Sequence, residues 1–199
     1  DMKQKFTESF ASMGATGFTI HYQEYKFFGH NNGVSQEKKG AKKVRQSNVK
    51  KVISKEEAEA FKTSYPFPAK ISLGLRGGNS NIASMGDKKT NPTVQVAGGD
   101  EYYAELNGYN LSAGRSLNEL DVQSGRNVAL IGNDLVIKFF GDNPERALEK
   151  IIKINGIPFR IIGTLESKGS SLGRSWDNLA ITSYNNVRRF FASNGTNYY

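Results

Sequence analysis

The sequence predicts an α+β fold. Three observations carry that reading: a capped helical stripe that starts at Ser54, strict apolar/polar alternation in "TGFTIHYQEY" and "AKISLGLRG", and an Asn-Gly turn between two isoleucine-rich runs at Asn155-Gly156. A length of 199 residues suits one domain or two small ones, and 37% hydrophobic content suffices for a packed core.

The elements follow in order. "DMKQKFTESFASMG" places Met2, Phe6, Phe10 and Met13 on one helical face, with Gly14 as its stop. In the next run Phe18, Ile20 and Tyr22 alternate with Thr19, His21 and Gln23, which predicts a strand with a buried face and an exposed His21. Ser54 and Glu57 have capping-box spacing, and Ala58, Phe61 and Tyr65 follow on one side until Pro66 and Pro68 end the helix. Ile71, Leu73 and Leu75 then face inward, so Thr16 to Gly77 reads as a β-α-β unit. "TVQVAGG" is a short strand. "DEYYAELNG" is a short helix capped by Asp100, with Tyr103 and Leu106 inward and Gly108 at its end.

The most specific local signal is "KIIKINGIPFRIIGTLES". Asn155-Gly156 suits a type I′ turn, in which both central residues need positive φ. Pairing Ile154 with Ile157 sets Ile152 opposite Phe159, and all four share a face. Burial at roughly 1.5–3 kcal/mol for each side chain pins that register. Pro158, opposite Lys153, suits an edge or a wide bend. Finally, "WDNLAITSYNNVRRFFASNG" predicts a strand through Leu179 and Ile181, then a helix capped by Ser183 and bearing Tyr184, Val187 and Phe191.

"NVALIGNDLVIKFFG" runs from strand to helix through Gly132, the order used where a helix N-terminus holds a phosphate. A dinucleotide loop uses several glycines, and a P-loop needs Gly-Lys-Ser or Gly-Lys-Thr. Here a single glycine precedes a helix whose first turn already holds the carboxylate of Asp134. The reading is a structural corner, with Leu135, Val136, Phe139 and Phe140 packed back on the sheet.

Other chemistry is excluded on similar grounds. There is no cysteine, hence no disulfide and no thiolate metal site. His21 and His30 are two isolated histidines and do not make a metal site. Ser170 and Ser171 sit in a Gly/Ser loop without a base, and Glu101, Glu105, Glu119 and Asp121 form no poised acid–base pair. No catalytic, cofactor-binding or metal-ligating residue is assigned. No run reaches the ~20 apolar residues of a membrane span. Net charge is +8, concentrated in Glu37 to Lys51, which lacks aromatic residues for base stacking. That stretch reads as a solvated loop, ahead of a contact with acidic lipid, glycan or nucleic acid. Trp176 reads as a core anchor ahead of a ligand platform.

Four motifs in order bear a resemblance to a known family: "L-x-x-GR-x-x-x-x-x-D" from Leu111 to Asp121, "NVALIGNDLVIKFFG", "KIIKINGIPFRIIGTLESKG" and "DNLAITSYNNVRRF". Their arrangement from Val94 to about Phe191 resembles the extracytoplasmic core domain of MacB-type ABC transporter permeases, a group that includes macrolide exporters, lipoprotein-release permeases and FtsX-like proteins. The "MGATGFTI" run fits more loosely, and "NPERALEKIIKI" departs from the family's pattern before the hairpin. The resemblance implies two lobes. One is a β-α-β lobe of residues 1–106 and 176–199, and the other a smaller α/β lobe inserted at 107–175. The composition shift near Gly108 and the strand after Trp176 agree with these bounds.

The resemblance also implies the expected function. The chain is a non-enzymatic domain on the periplasmic side of the bacterial inner membrane, between the first and second of four membrane helices. One hydrophobic segment is expected ahead of Asp1 and three after Tyr199. Expected partners are a cytoplasmic ABC ATPase domain or subunit, a second permease copy, and a periplasmic adaptor or exported substrate, with no nucleic acid. Loops around Lys38 to Lys51 and Lys168 to Arg174 are the candidate contacts. The rival readings are a ligand- or peptide-binding sensor, with a pocket around Tyr102, Tyr103 and Trp176, and a basic nucleic-acid-binding domain.

Overall fold

The computed structural model describes residues 17–21, 52–171 and 174–191. The expected first helix and the basic stretch 37–51 lie outside those residues. Helix α1 (Lys55–Ser64) starts as the capping box requires: the Ser54 amide donates to Glu57 Oε2 (3.0 Å) and the Glu57 amide to Ser54 Oγ (3.2 Å). Tyr65 is already extended, as a residue ahead of Pro66 should be.

Strands β1 (Gly74–Arg76), β2 (Ala83–Met85), β3 (Lys88–Lys89) and β4 (Gln95–Gly99) precede α2 (Tyr103–Leu106). Next come β5 (Leu111–Gly114), α3 (Glu119–Ser124), β6 (Val128–Ile131), α4 (Asn133–Phe140) and α5 (Pro144–Ala147). The chain continues through β7 (Ile151–Ile154), β8 (Ile157–Leu165), β9 (Ser170–Ser171), β10 (Arg174–Ser175), β11 (Leu179–Ser183) and α6 (Tyr184–Phe190). Nine strands form one mixed sheet in the order β1-β4-β11-β6-β8-β7-β2-β3, with β5 paired to β8. Mixed sheet and helices make the fold α+β.

β11 lies parallel to β4 on one side and antiparallel to β6 on the other. β2 in turn pairs with β7. Strands from both expected lobes therefore share one hydrogen-bonded sheet, and their apolar residues join one core cluster. The cause is non-local: β11 is the last described strand, yet it sits between an early strand and a middle one. All four residues of β6 and all five of β11 are buried, as expected of strands covered on both faces. α6 packs on β4 and β1, while α4 and α5 pack on each other and on β8.

The hairpin matches its predicted register: Ile154 opposes Ile157, Ile152 opposes Phe159, and Lys153 opposes Pro158. Asn155 (φ 50°) and Gly156 (φ 84°) both have the positive φ of a type I′ turn. Ile152, Ile154 and Phe159 are fully buried. Pro158 is exposed, ahead of the point where β6 joins β8 at Arg160. Asn155 has a second task. Its Nδ2 donates to Asn81 Oδ1 (2.8 Å), and its Oδ1 accepts the Ile82 amide (2.9 Å). Asn81 also bridges to Val94, so the turn helps hold the segments leading into β2 and β4.

Several expectations are corrected. Gly17–His21 has no strand, and Phe18 and Ile20 are 78% and 50% exposed. Alternation says which side chains can share a face but supplies no neighbouring strand to pair with; Tyr22 lies outside the described residues. α1 buries no residue. Instead, Phe61 meets Tyr65 at a tilt and Tyr65 meets Phe67 edge-on at the surface, with ring centroids 5.3 and 5.6 Å apart. The helix is tied down by polar groups: Lys62 Nζ reaches Asp100 and Glu101 at 2.8 Å each, and Tyr184 Oη donates to Glu59. Leu106 is exposed because α2 is a single turn whose buried side is Tyr103 and Ala104. Trp176 is 45% exposed, in a bend before β11, and no core anchor. Ser170 and Ser171, expected in a loop, form a two-residue strand paired to β10.

Candidate functional site

Gly132 is the N-cap of α4, and Leu135, Val136, Phe139 and Phe140 face the core as expected. The Gly132 amide donates to Leu179 O (2.8 Å) and the Asp134 amide to Asp177 O (3.3 Å). A Cβ on Gly132 would lie 2.9 Å from the Asp177 carbonyl carbon and inside the contact radius of its oxygen. The glycine thus admits the backbone of another strand's entry loop. A peptide carbonyl occupies the place where a phosphate oxygen would approach the helix, and supplies the negative dipole that this helix end favours.

The buried carboxylates serve the fold in the same way. Asp100, expected as a cap of α2, does not cap it: the N-cap is Tyr102, with no side-chain cap bond, and Asp100 instead accepts the Tyr102 amide in the preceding turn at 3.1 Å. It also takes the Leu73 amide, Ser72 Oγ and Lys62 Nζ, and so joins α1, β1 and the end of β4. Burial pushes the Lys62 ammonium down, but its bonds to Asp100 and Glu101 outweigh this and raise it above its ordinary value. Asp177 accepts Ser167 Oγ and the amides of Lys168 and Gly169. Asp121 forms a capping box with Asn118 at the start of α3 and receives Arg115 Nη1 at 2.6 Å. That box, with Asn in place of Ser or Thr, was readable in "SLNELD" and was missed.

Among the described residues no group of three or more His, Cys, Asp or Glu is placed to hold a metal. No described helix is long and apolar enough to cross a membrane. The pocket proposed around Tyr102, Tyr103 and Trp176 does not assemble. Tyr102 and Tyr103 follow the C-terminal end of β4, with Tyr103 buried. Trp176 belongs to the other end, where Gln95 Nε2 donates to Ser175 O. Of the expected contact loop, Lys168 is already engaged: its Nζ donates to Asn107 O (2.8 Å) and lies 4.2 Å from the Tyr109 ring centroid. Burial pulls its ammonium below its ordinary value, partly countered by Asp177.

A concavity that sequence reasoning did not foresee lies between the end of α4, α5 and the β2–β3 edge. It is a shallow, open depression of ≈ 690 Å³, with Met85, Phe139, Phe140 and Leu148 among its lining and Lys88, Arg146 and Lys150 around them.

Comparison with known proteins places this architecture. The macrolide export ATP-binding/permease protein MacB of Chlorobaculum tepidum is 34% identical over 89 residues, 45% of this chain and 13% of its own length. A pyoverdine export ATP-binding/permease protein PvdT of Pseudomonas savastanoi is 30% identical over 100 residues, 50% of this chain and 14% of its own. The uncharacterized ABC transporter permease YvrN of Bacillus subtilis is 25% identical over 166 residues, 83% of this chain and 37% of its own. The chain thus spans a minor part of these relatives. The periplasmic region of MacB from Actinobacillus actinomycetemcomitans shares the fold, with TM-score 0.56 and 22% identity over 71% of this chain and 60% of that one. The extracellular domain of YknZ from Gram-positive bacteria does so with TM-score 0.57 and 20% identity, covering 74% and 71%. The family model for the MacB-like periplasmic core domain matches residues 1–199, and the chain belongs to that family.

Proposed function

We propose that this chain is the extracytoplasmic domain of a MacB-type ABC transporter permease, on the periplasmic side of the bacterial inner membrane. It relays the ATP-driven motion of membrane helices to substrate export or to partners on that side. ATP is hydrolysed by a cytoplasmic ABC ATPase domain or subunit, a second permease copy completes the assembly, and a periplasmic adaptor or the exported substrate is the receiver. The chain itself contributes no catalytic residue and binds no nucleic acid. The observation that carries the reading is the family match over the full 199 residues. The sheet supports it mechanically: β11 is bonded to both β4 and β6, so displacement of one of these strands is passed to the others.

The test uses the full-length parent with its ATPase in lipid nanodiscs. The chain has no cysteine, so Leu120→Cys on the exposed face of α3 gives one label site per copy once any cysteines elsewhere in the parent are replaced. Pulsed electron paramagnetic resonance would compare the inter-copy distance without nucleotide and in the ATP-trapped state. The proposal expects two distinct distance distributions. Identical distributions in an assembly that still hydrolyses ATP would overturn it, as would a parent gene encoding no membrane-spanning segments.

A further inference from the structure

We propose that the groove between α4, α5 and the β2–β3 edge binds a small anionic amphiphile, an acidic head joined to a short apolar chain. Phe139 and Phe140, nearly buried, back it from α4, with the half-buried Met85 and Leu148 beside them, so apolar and polar groups share its wall. Around them stand Lys88, Arg146 and Lys150, against a single carboxylate, Glu145. All four are exposed, and none forms an ion pair among the described residues. Three positive and one negative group leave the lining at 3 − 1 = +2. Asp87 and Asp142 are sequence neighbours of the lining but do not line it, and Glu149 is held by Arg160 at 3.2 Å.

Apolar side chains with unpaired cations beside them suit a ligand whose charge stays wet while its chain is covered. The ≈ 690 Å³ volume falls within the roughly 300–1,000 Å³ of small-molecule sites. A peptide is a poorer fit. The adjoining edge strand, β3, has only two residues, too few to extend a backbone ladder. The carbonyl end of α4 disfavours an anion at Gly141, which puts the head on the Arg146 and Lys150 side. The wall there is held by backbone in the left-handed region at Asp142 (φ 61°) and Glu149 (φ 63°). Non-glycine residues keep such conformations only where their surroundings over-determine them.

The experiment titrates the chain, carrying ¹³C-methyl Met and Leu, with laurate below its micelle concentration. The matching alkyltrimethylammonium serves as the charge-reversed control. The expected result is saturable shifts of the Met85 and Leu148 methyls with laurate, at least roughly ten-fold weaker with the cation. The double variant Arg146→Glu/Lys150→Glu should weaken laurate by roughly ten-fold or more, and Arg146→Gln/Lys150→Gln by less, with the urea transition of both unchanged. Equal response to the two amphiphiles, shifts only at other methyls such as Leu120, or unchanged affinity in the double reversal would each overturn the proposal. So would an acidic peptide shifting these methyls where laurate does not. None of these outcomes bears on the nucleotide-dependent distances that test the transporter reading.

Discussion

Gly132→Ala isolates the contact on which the strand-to-helix corner depends. The residue sits at φ −74°, ψ 165°, where alanine is unstrained, so the backbone conformation itself adds no cost. The new methyl would lie 2.9 Å from the Asp177 carbonyl carbon and 3.3 Å from its Cα. Carbon pairs rest near 3.5–4.0 Å, so the two backbones must separate by roughly half an ångström or more. Overpacking of this kind costs about 1–3 kcal/mol. The Gly132–Leu179 and Asp134–Asp177 hydrogen bonds are stretched as well, at about 1 kcal/mol each if lost. Restricting the unfolded chain returns about 0.4–1 kcal/mol. The net loss is about 2–4 kcal/mol, or about 1–2 M in urea midpoint for a slope near 2 kcal/mol/M. Gly141→Ala is the reference. That glycine is at φ +66° with no atom within 4 Å of the added Cβ, so only the left-handed strain of about 1–2 kcal/mol applies. Urea unfolding followed by far-UV circular dichroism measures both. If Gly132→Ala proves the milder of the two, the account of the corner is wrong.

Burial pushes the Asp121 carboxyl up, but the Arg115 guanidinium and the Asn118 amide outweigh this and hold it below its ordinary range. A lowered folded-state pKa gives stability that is complete above the unfolded value of about 3.9 and disappears as pH falls through the folded value. Asp121→Asn should therefore be less stable near neutral pH and show a flatter acid limb below about pH 4 in chemical denaturation; an acid limb as steep as the parent's would count against the pairing. Trp176→Ala should change stability by no more than about 0.5 kcal/mol, because the indole is 45% exposed. A loss of about 3 kcal/mol or more would restore Trp176 to the core.

Four local signals agree with the structure. The Ser54–Glu57 box, the Ser183 cap, the glycine corner and the register around Asn155-Gly156 each depend on side chains a few residues apart. α3 was legible too, through Asn118 and Asp121, and was passed over. Three of the misreadings share one physical cause. Phe61, Leu106 and Trp176 were placed inward by spacing or by hydrophobicity alone. Spacing identifies a face; it does not say whether another element arrives to cover it.

By itself the sequence determined the α+β class, the capped starts of α1 and α6, the glycine corner and the hairpin pairing, because turn chemistry and period act over a few residues. Only the tertiary structure decided that β11 enters between β4 and β6, that the Asp177 backbone fills the Gly132 corner, and that Lys88, Arg146 and Lys150 line one depression with Phe139 and Phe140. These are contacts between residues tens of positions apart. Each depends on how the whole sheet is ordered, and no pattern along the chain encodes that order locally.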